Sequence, residues 1–193
     1  MKYNIKLLVI LIFIVAVVIN NLLINFLSSC FTGSIASNDE IVKLSMLLNK
    51  AAQQMSKNTC DLLDPSNSSS LARTWCSKIS LYNESEYYAD VYLARGISNL
   101  LYGKRVVSFG EGPGVYKQFI LNLNEVNGYD AYDGAPFIEE ATNYYVRFLD
   151  LSVPVYHIKK YEWVLSLEVA EHILREYESV FVDNLARHAK EGK

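Results

Sequence analysis

The chain has 193 residues, of which 51% are hydrophobic and 20% are charged, with 4 prolines and 9 glycines. This composition is typical of a folded domain and excludes a disordered chain, a collagen and a small disulfide scaffold. The formal net charge of -3 argues against a broad nucleic-acid-binding surface, so no nucleic-acid partner is predicted.

The first 30 residues predict a segment that targets the chain to a membrane. Lys2 and Lys6 precede a mostly apolar stretch over residues 7–27, which asparagines interrupt near its far end. A helix over this stretch would cross a hydrocarbon core of ~30 Å, which favours an uncleaved signal anchor over residues 1–30. A cleaved signal peptide, or a lipid anchor on Cys30 in a lipobox-like stretch, are the alternatives.

Three further features indicate the secretory pathway. No Lys or Arg follows the apolar stretch until Lys43, so the positive-inside rule places the rest of the chain outside the cytosol. Asn67 and Asn83 each begin a glycosylation sequon, and Cys60 and Cys76 would pair in an oxidising compartment. We therefore expect a single-pass membrane protein whose C-terminal domain lies in the endoplasmic reticulum or Golgi lumen or at the cell surface, or else a secreted protein.

Residues 31–83 are expected to form a lumenal lead-in of helix and loop. Apolar spacing predicts a helix over residues 38–56, followed by a serine-rich loop over residues 57–80. A second helix is predicted over residues 84–102, with Gly103 as its C-terminal cap.

From residue 105 onward, short apolar strands alternate with helices. Strands are predicted at residues 106–109, 129–133, 145–149 and 162–167, and helices at residues 116–127, 137–143 and 172–189. This alternation predicts an open parallel α/β sheet, in which ligands bind at the carboxyl ends of the strands.

A glycine-rich turn and an acid follow the first two predicted strands. The turn Gly110–Gly114 has the sequence Gly-Glu-Gly-Pro-Gly, which permits a tight bend and a close approach of backbone to a ligand. Asp133 follows at the end of the second strand, where a carboxylate can accept hydrogen bonds from two ribose hydroxyls. Asp130 is the alternative, but Gly128 marks the end of the preceding helix and so favours Asp133 as the strand end. An ordinary strand–turn–helix unit with a surface acid is the structural alternative.

Four stretches in order resemble the successive motifs of class I S-adenosylmethionine-dependent methyltransferases. They are residues 106–114, 132–133, 148–151 and 163–172. The Glu-Val-Ala-Glu-His sequence that begins at Glu168 is similar to the methyltransferase 11 and ubiquinone-methyltransferase types, and the chain also resembles membrane-anchored methyltransferase-like proteins of invertebrates. The resemblance covers residues 84–193.

The resemblance implies an α/β fold with the first four strands of a Rossmann-like class I methyltransferase sheet, preceded by the membrane helix and the helical lead-in. A complete sheet of this class has seven strands, so residues 84–193 are expected to be a partial, C-terminally truncated methyltransferase domain. The implied function is transfer of a methyl group from S-adenosylmethionine to an unidentified small molecule, glycan or protein in the secretory pathway. A non-catalytic, membrane-tethered binding domain is the alternative, and a nicotinamide-binding Rossmann protein is a third.

The resemblance also implies roles for single residues in the first half of the site. Gly110, Gly112 and Gly114 would pass beneath the methionine and ribose of the cofactor. Glu111 would lie near the methionyl amine, and Asp133 would bind the ribose hydroxyls.

Roles for the second half of the site follow in the same way. Asp150 would accept from the adenine amino group, with Leu151 packed on the ring, although Asp150 could instead cap a loop. Glu168 would lie by the methionine end. His172 is a weak candidate for acid–base catalysis, with a structural role favoured, and no metal is predicted because no cluster of His or Cys accompanies it.

Overall fold

The structure is a computed structural model that describes residues 37–62, 76 and 88–190. The predicted signal anchor over residues 1–30 and the sequons at Asn67 and Asn83 lie outside these residues. Among the helices that are described, none combines the length and the apolar character that a membrane crossing requires.

Five α-helices and four strands make up the described part of the chain. The helices are α1 (Asn38–Leu62), α2 (Val91–Leu100), α3 (Val115–Asn122), α4 (Ile138–Ala141) and α5 (Glu178–His188). The strands are β1 (Arg105–Phe109), β2 (Gly128–Asp133), β3 (Arg147–Phe148) and β4 (Trp163–Leu165), and short 3-10 turns lie at Ala170–His172 and Arg175–Tyr177. The sheet and all helices, apart from the first turn of α1, belong to one compact unit that begins at Val42.

The four strands form one parallel sheet in the order β3-β2-β1-β4. The central strand β1 pairs with β2 through Val107 and Asp130, and with β4 through Val107 and Val164. Because all strands run the same way, their carboxyl ends meet at one edge of the sheet. The predicted open parallel sheet with four strands in this part of the chain is therefore confirmed.

Side chains that alternate along the strands enter two separate cores, one on each face of the sheet. On the first face, Val106, Ala131 and Phe148 pack with Ile97 of α2, with Leu101 directly after α2, and with Ile120 of α3. On the second face, Val107, Phe109 and Tyr132 pack with Val155 and with Phe181 of α5. The two cores fix the sheet between helical layers and hold its carboxyl edge in place.

The first two helices differ from their predicted bounds for identifiable reasons. Residues 57–62 were predicted as loop but continue α1, and Cys60 in this last stretch is buried in the first core. Residues 88–90 were predicted as helix but precede α2, because the Asp90 carboxylate accepts from the backbone N–H groups of Tyr92 and Leu93 and so caps the helix there.

Helices α3 and α5 are shorter than predicted. After α3 the backbone turns at Asn124, whose φ of 54° lies in the left-handed region and ends the helix before residue 127. Residues 172–177 were predicted as the start of the last helix, but Ile173 and Leu174 are extended between two 3-10 turns. Strands β3 and β4 are likewise confined to the central residues of their predicted ranges.

The chain returns to the sheet after α5. Ala189 forms a parallel bridge to Tyr161, two residues before β4 begins. Lys190 donates its backbone N–H to the carbonyl of Tyr161, and Tyr161 donates its own to the carbonyl of His188, each at 2.7 Å. These bonds fix the C-terminal end of α5 beside β4.

Acidification tests the burial of His188. The side chain is 1% exposed, its Nδ1 lies 2.7 Å from the carbonyl oxygen of Asn184, and its Nε2 has no hydrogen-bond partner. Burial lowers the pKa of His188, so the folded protein keeps the ring neutral while the unfolded chain takes up a proton as the pH falls through ~6.5. The free energy of unfolding should therefore fall as the pH drops from about 7 toward the lowered pKa.

Denaturant titrations at a series of pH values measure this effect. His188→Leu should flatten the dependence of the unfolding free energy on pH, whereas His172→Leu, which removes an exposed histidine, should not. Burial also lowers the pKa of His157. His157 should therefore contribute to the pH dependence of the unfolding free energy that remains in His188→Leu. A slope that is the same in the wild type and in His188→Leu would contradict the expectation.

Candidate functional site

The glycine-rich turn between β1 and α3 is bonded directly to the end of β2. Gly110, Gly112 and Gly114 have φ values of 83°, 61° and 95°, all in the left-handed region that side chains disfavour. The backbone N–H groups of Gly110 and Glu111 both donate to the carbonyl of Tyr132, at 2.8 and 3.0 Å. The turn is therefore fixed at the carboxyl edge of the sheet, where ligands of parallel sheets bind.

The carboxylate of Asp133 joins this turn to the loop that follows β2. Its Oδ2 accepts from the N–H of Gly112 and its Oδ1 from the N–H of Ala135, each at 2.8 Å. Burial raises the pKa of Asp133, while the two N–H donors oppose that change. Asp133 is only partly buried, and a carboxylate has about four acceptor positions, so each oxygen keeps one acceptor position beyond these two bonds.

Asp130, the other acid considered for this role, lies on the second face of the sheet. It accepts from the hydroxyl of Tyr161 at 2.5 Å and forms ion pairs with Lys159 and Arg147. Its partners all lie outside the glycine-rich turn. Asp133 is thus the acid that the structure brings to the turn.

Glu111 takes a different place from the one expected of it. Its Oε1 accepts from the backbone N–H of Lys117 at 2.6 Å and its Oε2 from the hydroxyl of Tyr129 at 2.9 Å, and the side chain is buried. Burial raises the pKa of Glu111, and the donors, with the Ser108 hydroxyl, lower it in part. Both oxygens are therefore engaged within the protein, and the carboxylate occupies the N-terminal turn of α3 instead of an outward position near a methionyl amine.

The segment after β4 lies against the same turn. Val169 fills the space beside Gly110, where an added Cβ would overlap its Cγ2. Glu168, next to it, is exposed and has a φ of 54°, a conformation that costs a non-glycine residue of order 1–3 kcal/mol and clusters at functional sites. Glu168 thus directly precedes the residue that packs against the glycine-rich turn, and its expected place by the methionine end stays a prediction.

Asp150 and Leu151 lie at the end of β3 but differ in what they offer a ligand. Asp150 is partly exposed, and its Oδ1 accepts from the backbone N–H and the hydroxyl of Ser152. Leu151 is 7% exposed and belongs to the second core. The expected contact of Asp150 with adenine stays a prediction, whereas burial leaves little of Leu151 for the expected packing on a ring.

Helix α1 supplies site residues that the sequence reasoning missed. Four polar side chains at intervals of four residues bond to the chain between the end of β2 and Tyr156: Ser45, Asn49, Gln53 and Lys57. The prediction of this helix used the spacing of its apolar residues. The polar residues recur every four positions and so share one face of the helix, and this pattern could have indicated a polar contact surface.

The remaining candidates have simpler surroundings. His172 is exposed in the 3-10 turn after Val169. Cys60 and Cys76 form a disulfide with a Cα–Cα distance of 5.2 Å. Within residues 37–62, 76 and 88–190, no three side chains of His, Cys, Asp or Glu form a cluster that could hold a metal ion.

Comparisons with known proteins give a similarity in structure but none in sequence. No model of a known protein family matches the sequence, and no curated protein matches it. The structure is similar to that of CalS10 with S-adenosylmethionine bound, an amino pentose methyltransferase from Micromonospora echinaspora involved in calicheamicin biosynthesis, with a TM-score of 0.46 and 10% sequence identity. The match covers 55% of this chain and 49% of that protein. This likeness is too low for the neighbour's ligand or substrate to be carried over to this chain.

Two glycine substitutions test the packing of the site. Gly110→Ala would put a Cβ against Val169 in a left-handed conformation, so it should lower the free energy of unfolding by about 2–4 kcal/mol. Gly96→Ala is the control, because it lies in α2 with no atom within 4 Å of the added Cβ; it should raise stability by up to about 1 kcal/mol. Denaturant unfolding measures both, and equal effects would contradict the close approach of Val169 to the turn.

Proposed function

We propose that this chain binds S-adenosylmethionine at the carboxyl edge of its sheet and transfers the methyl group to an acceptor. The observation that carries the proposal is the position of the Asp133 carboxylate, bonded at once to Gly112 and Ala135. Its spare acceptor positions suit the two hydroxyls of a ribose. The rigid glycine-rich turn beside it lets a ligand lie close to the backbone.

The charge of the site favours this cofactor over a dinucleotide. A pyrophosphate normally binds the free N–H groups at the first turn of the helix after the glycine-rich turn. Here the Glu111 carboxylate already accepts from the N–H of Lys117 in that turn of α3. That N–H is not free to bind a phosphate, and the Glu111 carboxylate would repel the negative charge of the phosphate. A sulfonium cation needs no N–H donor and is attracted by a carboxylate.

The methionine end of the cofactor is assigned to the segment after β4. Glu168 is exposed beside the glycine-rich turn, held there by the contact of Val169 with Gly110. A carboxylate at this point attracts an ammonium or sulfonium group. Asp150, at the end of β3, is assigned to the opposite, adenine end.

The protein's contribution to catalysis is positioning. The bound sulfonium supplies an activated methyl group, so no metal is required for transfer. Asp133, Asp150 and Glu168 orient the donor, and the rate then depends on holding the acceptor atom in line with the methyl group. We propose that the acceptor is a small molecule, glycan or protein.

We also propose that this reaction faces the lumen of the secretory pathway. The proposal follows from the predicted anchor over residues 1–30 and the predicted sequons, and the Cys60–Cys76 disulfide supports it because such bonds persist in oxidising compartments.

Calorimetric titration with S-adenosylmethionine tests the cofactor assignment. The wild-type chain should bind it and should not bind NAD. Asp133→Asn should weaken binding by about tenfold or more, because a charged acceptor of two hydroxyl donors is lost.

Asp130→Asn is the matched control, since it removes an acid from the same strand on the other face of the sheet. It should leave the affinity within about twofold of the wild type. Absence of binding by folded wild-type protein would favour the non-catalytic alternative, and binding of NAD would favour a nicotinamide enzyme.

Expression in a eukaryotic secretory host tests the compartment. Asn67 and Asn83 should carry N-linked glycans, so treatment with an endoglycosidase should lower the apparent mass. Asn67→Gln and Asn83→Gln should each remove one step of that shift. Full-length protein without any glycan at either position would contradict the lumenal topology.

A further inference from the structure

Helix α1 meets the carboxyl edge of the sheet through a polar face. This face is made of Ser45, Asn49, Gln53 and Lys57. Ser45 Oγ accepts from the N–H of Tyr156 at 2.8 Å, Gln53 Nε2 donates to the carbonyl of Pro136 at 3.2 Å, and Lys57 pairs with Glu140. The contacts reach the loops after both β2 and β3, so α1 lies across the side of the site that the adenine end of the cofactor would occupy.

Asn49 makes the most specific of these contacts. Its Nδ2 donates to the carbonyl of Phe148 at 3.3 Å, and its Oδ1 accepts from the N–H of Asp150 at 3.0 Å. The carboxamide therefore offers one donor and one acceptor to the open side of the edge strand β3, as a neighbouring strand would. Because the side chain is buried, losing it would leave two backbone groups without partners at that point.

Asp150 is held from two directions. Asn49 fixes its backbone, and Ser152 fixes its carboxylate through bonds of 2.8 and 2.6 Å from the N–H and the hydroxyl. Hydrogen bonds weaken steeply as their angles depart from linear. A shift of the backbone at this position therefore reduces the ability of the carboxylate to accept from a fixed amino group.

We propose that Asn49 is a positioning residue for Asp150, and that α1 thereby forms part of the adenine side of the cofactor site. The inference rests on the proposed function, in which Asp150 accepts from the 6-amino group of adenine. The ribose contact is independent of α1, because Asp133 is held by Gly112 and Ala135. Loss of Asn49 should therefore impair recognition of the base and spare recognition of the sugar.

Two ligands that differ only at the base separate these effects. S-adenosylhomocysteine carries the 6-amino group, whereas S-inosylhomocysteine has an oxygen there, which can accept but cannot donate a hydrogen bond. The full wild-type chain should bind the adenine compound about tenfold or more tightly. Asn49→Leu should reduce this preference to about threefold or less, while the affinity for the inosine compound changes by no more than about twofold.

Gln53→Leu is the matched control, since it removes a polar residue from the next turn of the same face without touching Asp150. It should keep the full preference for adenine. Asp150→Ala should abolish the preference, and the double variant Asn49→Leu/Asp150→Ala should show no further loss, because both changes act on the same contact.

Each outcome decides the inference. A single cooperative unfolding transition first establishes that a variant is folded, and Asn49→Ala, which adds no bulk, replaces Asn49→Leu if that variant is not. Folded Asn49 variants that keep the preference, or that lose both ligands equally, overturn the positioning role. A wild type that binds both ligands equally overturns the role of Asp150 but keeps the proposed function, whereas a wild type that binds neither overturns both.

Discussion

Backbone groups at the carboxyl edge of the parallel sheet lose their strand partners where the loops begin, and buried groups of this kind must be bonded elsewhere. Here polar side chains supply the partners. Asp133 accepts hydrogen bonds from the N–H groups of Gly112 and Ala135. At the end of β3, Asn49 donates to a backbone carbonyl and accepts from a backbone N–H. The candidate site is therefore built by the same bonds that stabilise the edge.

The acidic residues of the candidate site differ in how deeply they are buried. Glu111 is buried with both oxygens engaged by Lys117 and Tyr129, so its charge stabilises α3 and shapes what the site accepts. Asp133 and Asp150 also have protein partners, but these two residues are only partly buried. A carboxylate that is already positioned by the protein costs less entropy when a ligand binds.

The features that could be predicted from the sequence are those that depend on residues close together in the chain. The four strands, the glycine-rich turn and Asp133 follow from apolar runs, glycines and short spacings, all within a few dozen residues. The inward position of Glu111 depends on a side-chain bond from Tyr129 of the neighbouring strand β2, which the spacing of residues does not show, and the burial of Leu151 depends on the core built with α5. The contacts of Asn49 join residues about a hundred positions apart, so no local pattern could reveal them.

The wide separation between α1 and its partners also sets an order of assembly during synthesis. Ser45 and Asn49 leave the ribosome long before Tyr156 and Asp150, to which they bond. At about 5–20 residues per second, the helix waits for several seconds with its polar face and its buried surface without partners. The contacts between α1 and the end of β3 are thus completed only after β3 has been made, and a chaperone that shields α1 in that interval would act on the step that forms them.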